Sequence, residues 1–267
     1  MLFRSAAKFG VPVVETVAGK STLLASDPAW CGPVGVTGCD PANKLAEQAD
    51  LIISIGCRLQ DFTTASWTLF KNPARKFISI NTARFDATKR NSLAVIGDAK
   101  ESLLEISNLL GNYQCDSAWT QSRVNTKSEI LNNIKDRTQK KLNLPSYAQV
   151  VKSISDVANE DDFVLTAAGG LPGELNNNWL SKSLDSFDCE YGYSCMGYEI
   201  AGAWGVSLAY EISGRSGSVI SMVGDGSYLM MNSEILSAVN NGNSIIYILC
   251  DNKGFAVIQR LQISNGS

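Results

Sequence analysis

The chain has 267 residues, 45% of them hydrophobic and 18% charged, with a formal net charge of −3. That length holds one or two domains with proper cores, and an acidic balance without a basic stripe argues against a nucleic-acid partner. There is no histidine, which excludes His-based triads, His metal sites and His general acid–base work and leaves the chemistry to a cofactor. No apolar run approaches the roughly 20 residues of a membrane-spanning helix, and the amino end carries no signal-peptide pattern. Seven scattered cysteines with no C-x-x-C pair read as reduced thiols of a cytoplasmic protein.

In chain order, residues 1–10 read as the tail of an amphipathic helix, with Leu2, Phe3, Ala6 and Phe9 apolar. Residues 11–17 are a short strand. Gly19-Lys20-Ser21-Thr22 suggests a phosphate-binding P-loop, but that pattern needs glycine where Val14 stands. Residues 31–38 form a Gly/Pro-rich loop joining strand to helix. A helix is expected over 41–49, a buried strand over 50–56 and a second strand over 76–81. Gly97-Asp98 opens a helix through Leu110. Strands alternating with helices predict a Rossmann-like parallel sheet. Residues 111–144 turn polar and rich in Asn, Ser and Gln. Trp119 and the spacing of Ile130, Leu131 and Ile134 suggest some helix, but the stretch reads as an interdomain linker.

Pro145-Ser146 starts the next unit, with Ser146 as a helix cap and the helix running to about Ala158. A strand over 162–166 leads into the turn Ala168-Gly169-Gly170. Gly197, Ala201, Gly202, Ala203, Gly205 and Ala209 crowd a helix that can pack close to its neighbours. Met196, Met222, Met230 and Met231 read as gap-filling core residues. Cys195 has no histidine and no obvious charge beside it, so it reads as a buried, inert thiol. Residues 219–223 are a buried strand ended by the turn Gly224-Asp225-Gly226-Ser227. A helical pattern over 228–240 follows, then an apolar run over 245–250 ended by Asp251-Asn252. This is a strand–helix–strand unit with a right-handed crossover. Both polar clusters fall just past the carboxyl ends of parallel strands, where open α/β sheets place ligands.

Asp225 offers a carboxylate and Asn252 an amide oxygen, hard ligands that suit Mg²⁺ completed by substrate phosphates. Gly224 and Gly226 permit close backbone approach, and the amides of Gly226 and Ser227 face the start of a helix, a favourable place for phosphate. The same strings also read as a tight turn and a helix cap. The spacing favours ligands: Asn252 follows Asp225 by 27 positions, each after an apolar strand.

Gly224-Asp225-Gly226 with Asp251-Asn252 resembles the signature of the thiamine-diphosphate-dependent enzymes, with Asp251 where the family has its first Asn. Three flanking strings sharpen the resemblance: Thr166-Ala-Ala-Gly-Gly-Leu-Pro-Gly-Glu-Leu-Asn176, Glu190-Tyr-Gly-Tyr-Ser-Cys-Met-Gly-Tyr-Glu199 and Gly224-Asp-Gly-Ser-Tyr-Leu-Met-Met-Asn-Ser-Glu234. They are similar to the trihydroxycyclohexanedione hydrolases of myo-inositol breakdown, and the likeness runs through nearly the whole chain. The resemblance implies thiamine diphosphate and Mg²⁺ as cofactors. It implies metal contacts from Asp225, Asn252 and the Gly254 carbonyl, and cofactor contacts at Gly169, Gly170, Gly224, Gly226, Ser227, Asn252, Gly254 and Phe255. Backbone around Ser194 and Met196 would meet the aminopyrimidine.

The fold class expected is α/β, two Rossmann-like parallel-sheet domains with flanking helices, both incomplete. Residues 1–110 would be the family's central domain without its first strand, 111–145 a linker, and 146–267 a carboxyl-terminally truncated diphosphate-binding domain with no closing helix or strand. No catalytic residue is assigned, because the activating glutamate belongs to a pyrimidine-binding domain absent from this sequence. The implied reaction is hydrolytic C–C cleavage of a cyclic polyol 1,2-dione to 5-deoxy-glucuronate, by a parent enzyme of two or four identical subunits, with this chain inactive alone. The alternatives are an acetolactate-synthase-like carboligase, a 2-oxo acid decarboxylase, or a non-catalytic cofactor-binding fragment. A nicotinamide-binding domain is disfavoured because no G-x-G-x-x-G follows a strand.

Overall fold

The computed structural model describes residues 2–266, and side chains from Ala6 to Gly266. The chain divides into two compact units. One takes the residues up to Val17 together with Ala25–Asn133. The other takes Ala18–Leu24 and the residues from Ile134 onward. Every strand pairing among the described residues is parallel, and helices alternate with the strands, so the α/β class expected from the sequence is what forms.

The first unit runs α1 (Leu2–Phe9), β1 (Val13–Glu15), β2 (Trp30–Pro33), α2 (Asp40–Gln48), β3 (Leu51–Ile55), the single turn α3 (Asp61–Thr64), β4 (Lys76–Asn81), the single turn α4 (Arg84–Ala87), β5 (Leu93–Ile96), α5 (Ala99–Leu110) and most of α6 (Ser117–Thr138). The strands form two sheets rather than one, β1-β2 and β3-β4-β5. The loop expected over 31–38 therefore holds most of a strand. Trp30 explains why: its indole Nε1 donates to Glu15 Oε2 at 2.9 Å in a buried pair, tying β2 to β1. Gly32 within it sits at φ +80, and an added Cβ would lie 2.6 Å from Ile130 Cδ1. Strand β3 is not the buried run expected, because Leu51 and Ile53 are 43% and 40% exposed. Helix α5 begins as expected, with Asp98 accepting from the Lys100 and Glu101 amides. The polar stretch 111–144 contains the 22-residue helix α6, along which Ile130 and Ile134, one turn apart, are buried.

The second unit runs α7 (Tyr147–Val157), β6 (Phe163–Thr166), α8 (Leu171–Asn178), β7 (Phe187–Cys189), α9 (Tyr198–Ser213), β8 (Val219–Gly224), α10 (Asp225–Met231), α11 (Ser233–Asn240), β9 (Ile246–Cys250) and α12 (Ala256–Ser264). Ser146 and Gln149 close a capping box at the start of α7. The sheet order is β7-β6-β8-β9. Strand β8 lies inside it, with Val219 to Val223 all buried, each large apolar side chain worth roughly 1.5–3 kcal/mol of transfer free energy. Helix α9 packs onto β6 and β8 through Ala203, Leu165 and Val219. The small residues make that approach possible: a Cβ on Gly202 would lie 3.0 Å from the Tyr198 ring and 3.2 Å from Leu165.

Two sequence expectations are corrected here. The helix after β8 starts at Asp225, not Tyr228, and breaks at Asn232 into two. The end of the sequence, expected over 263–267 to carry no closing helix or strand, instead holds the last residues of a helix that runs Ala256–Ser264. Among the described residues no helix is long and apolar enough to cross a membrane.

Candidate cofactor site

The register of β8 on β9 sets Gly224 opposite Cys250. The two strands therefore end level, and the residues that follow them, Asp225 and Asp251-Asn252, leave the same edge of the sheet. The chain after Asn252 then folds back onto Asp225, whose Oδ2 accepts a hydrogen bond from the Gly254 amide at 2.6 Å. The other carboxylate oxygen, Oδ1, is buried and has no hydrogen-bond partner among the described residues. An ionised oxygen left unsatisfied in this way costs about 1–3 kcal/mol or more, so the arrangement has a place for a cation.

Asn252 donates its Nδ2 to the Tyr147 phenol at the start of α7. That hydrogen bond occupies the nitrogen side of the amide. Burial pushes the Tyr147 phenol above its usual pKa, and the Asn252 hydrogen bond opposes the shift. Tyr147 thus touches one candidate ligand, Asn252. Burial holds the Cys250 thiol up at about 11, so it stays neutral and offers no thiolate beside this oxygen set.

The glycines divide into two kinds. At Gly169 (φ +93), Gly224 and Gly254 (φ +133), nothing lies within 4 Å of where a Cβ would be. These positions leave unfilled space at three strand-end turns. At Gly226 and Gly170 the space is taken. A Cβ on Gly226 would lie 2.6 Å from the Phe255 ring, and one on Gly170 would lie 3.0 Å from Val257 and 3.3 Å from the Arg260 guanidinium. Those two glycines let the 255–260 stretch settle against α10 and the 168–170 turn.

Ser194 and Met196 lie on the turn between β7 and α9, Ser194 exposed at φ +54 and Met196 half-buried. The Glu190 carboxylate shapes this turn by accepting from the Tyr193 amide at 3.0 Å and the Cys195 amide at 2.7 Å. Cys195 is exposed, not buried as expected, and the Glu190 carboxylate lies beside it; slight desolvation and that charge push the thiol up, so it stays a poor nucleophile. The turn joins α10 where the Gly197 amide donates to Ser227 Oγ at 2.7 Å. The buried Ser227 hydroxyl is therefore used inside the protein.

Asp225, Asn252 and the Gly254 carbonyl each offer a hard oxygen of the kind Mg²⁺ takes. Among the described residues no three acidic, cysteine or histidine side chains converge on a common point, so any ion here would lean on amide, carbonyl and ligand oxygens. The orphaned Asp225 Oδ1 and the unfilled glycine turns fit a metal–diphosphate pair.

Residues 1–106 match the thiamine pyrophosphate enzyme central domain, and residues 167–267 match the C-terminal TPP binding domain of the same enzymes. The chain belongs to the thiamine pyrophosphate enzyme family. It is 38% identical to a 3D-(3,5/4)-trihydroxycyclohexane-1,2-dione hydrolase of Clostridium botulinum over 99% of this chain and 44% of that protein. For proteins of the same name it is 38% identical in Geobacillus thermodenitrificans, over 98% of this chain and 43% of that one, and 40% identical in Bacillus cereus, over 97% and 43%. The chain thus spans less than half the length of these curated relatives. Within the thiamine pyrophosphate enzyme frame, the second matched segment begins directly after β6 and contains every cofactor and metal candidate. Tyr147 lies outside both matched segments. Sequence reasoning missed it, and also missed Arg260 and the buried Glu199. Only Glu199 left a signal, as a lone acid in a run of small and apolar residues.

Proposed function

We propose that this chain is part of a thiamine-diphosphate- and Mg²⁺-dependent hydrolase that opens a cyclic polyol 1,2-dione, converting trihydroxycyclohexanedione to 5-deoxy-glucuronate in inositol breakdown. The observation that carries the cofactor reading is the half-buried Asp225 carboxylate, satisfied on one oxygen by Gly254 and orphaned on the other, which is buried. The substrate class rests on the likeness to the named hydrolases.

Asp225, Asn252 and the Gly254 carbonyl would hold Mg²⁺. Backbone at Gly169, Gly170, Gly224, Gly226 and Ser227 would receive the diphosphate, with Phe255 packed beside it, and backbone at Ser194 and Met196 would border the aminopyrimidine. Tyr147 orients the Asn252 amide from behind. When bound, thiamine diphosphate supplies a carbon nucleophile for a ketone and an electron sink for the breaking C–C bond. Held by these oxygens, the ion would tether the diphosphate and would not serve as a Lewis acid for the reaction. No residue here is assigned a proton-transfer step; the activating glutamate is expected in a pyrimidine-binding domain outside the matched segments. In this reading residues 1–110 are the central domain, 111–145 a linker and 146–267 diphosphate-binding. The parent is a cytoplasmic homo-oligomer, and this chain alone does not turn over.

Titration calorimetry of the chain with thiamine diphosphate tests the reading. Binding that requires Mg²⁺ and disappears in Asp225→Ala supports it, and no binding at millimolar cofactor with Mg²⁺ overturns it. For the parent enzyme, consumption of a cyclic dione and not of pyruvate separates the hydrolase from a carboligase or decarboxylase.

A further inference from the structure

Glu199 is 1% exposed, and among the described residues no lysine or arginine pairs with it. A buried carboxylate without a counter-ion is costly, so its surroundings must compensate. They do so with hydrogen bonds from two separate elements. Its Oε2 accepts from the Gly197 amide at 3.1 Å. The Ser227 hydroxyl, which itself receives the Gly197 amide at 2.7 Å, lies against the same carboxylate. Ser221 of β8 donates to the Glu199 backbone carbonyl at 2.6 Å. The side chain thus closes a three-membered knot of Gly197, Glu199 and Ser227, pinned to β8 from below.

The knot joins two places that matter to the proposed site. Gly197 ends the turn carrying Ser194 and Met196; Ser227 stands two residues past Asp225. Gly197 leaves little slack, since it sits at φ +94 with the position of an added Cβ 2.3 Å from Met231 Cγ. Glu190, half-buried, shapes the other end of the turn.

We propose that Glu199 is a positioning residue that sets the distance between the turn for the aminopyrimidine and the turn for the metal-bound diphosphate, so that one cofactor spans both. The proposal rests on the cofactor reading above and deepens it: Glu199 governs recognition of the whole cofactor, not of its diphosphate alone. Burial also pushes the Glu199 carboxyl above its usual pKa, opposed by the Ser227, own-amide and Gly197 hydrogen bonds, as expected for a charge kept inside for its geometry.

The test compares two probes on the same chain with Mg²⁺, thiamine diphosphate and inorganic pyrophosphate. Glu199→Ala is expected to weaken thiamine diphosphate about tenfold while pyrophosphate binds as in the wild type. Glu199→Gln, whose amide oxygen can still accept from Gly197, recovers most of the loss. Glu199→Asp keeps the charge and shortens the reach by one methylene; it should lose thiamine diphosphate selectively, and it decides the matter should the alanine variant not fold. Equal loss of both probes, or of neither, overturns the role of Glu199. A wild-type chain that binds neither probe overturns the cofactor reading itself, and the proposal with it.

Discussion

Asp225 and Gly254 are joined by a 2.6 Å hydrogen bond from the Gly254 amide to Oδ2. That bond closes the loop after β9 onto the end of β8 and leaves Oδ1 buried without a donor. The carboxylate is then half structural and half unspent. Asp225→Asn separates the halves, because its amide oxygen still accepts from Gly254 while the anionic oxygen is gone. Without ligand the variant should melt at or slightly above the wild-type temperature. With Mg²⁺ and thiamine diphosphate at 100 times Kd, the wild type should gain about 2.7 kcal/mol and the variant almost none. Thermal melts with and without ligand measure both quantities.

Tyr147→Phe removes the phenol that receives the Asn252 amide. A neutral, partly exposed hydrogen bond contributes about 0.5–1.5 kcal/mol to stability, so folding should change little. The amide loses its orienting partner, and outer partners of metal ligands are worth roughly 10–100-fold in metal affinity. The expected result is a Mg²⁺ requirement for cofactor binding shifted roughly 10–100-fold higher in concentration, at nearly constant urea midpoint. Unchanged Mg²⁺ affinity would remove Tyr147 from the site.

Gly197→Ala meets two separate penalties. The left-handed backbone at φ +94 costs a side chain about 1–2 kcal/mol, and overlap with Met231 adds about 1–3 kcal/mol. Pairing it with Met231→Ala should recover the overlap but not the backbone strain. A double-mutant cycle from denaturant melts should therefore show a positive coupling with a remaining deficit.

Glu199 also predicts a pH effect. Burial raises its pKa above the ordinary 4.5, so the folded chain holds this proton more tightly than the unfolded chain. The contribution of this group to stability is full below that pH and is lost as pH rises through the folded value. Glu199→Gln cannot ionise. Its stability relative to wild type should therefore rise across the window just above pH 4.5, in melts taken at stepped pH.

Much of this architecture was legible before any coordinates, and for local reasons. The β8 run, the β4 run, the Asp98 and Ser146 caps and the small-residue helix α9 each announce themselves through periodicity or turn chemistry within a dozen residues. The short strands β2, β5 and β7 did not. Three or four residues carry too little pattern, and their identity as strands depends on a partner elsewhere in the chain. Apolar runs at β3 and β9 disclosed strands but not burial: Leu51, Ile53, Ile246 and Leu249 stay 40–50% exposed, because a run does not say which face is covered.

The sequence by itself determined the residue types and order of the candidate site: one carboxylate after one strand, one amide after the next, and glycines wherever backbone must come close. Folding decided which of their atoms remain available. Gly254 takes one oxygen of Asp225, Glu199 and Gly197 take the Ser227 hydroxyl, and Tyr147, 105 positions away in the chain, takes the nitrogen of Asn252. Chemical type is carried by each residue alone, whereas hydrogen-bond capacity is consumed by neighbours that only the packed chain supplies.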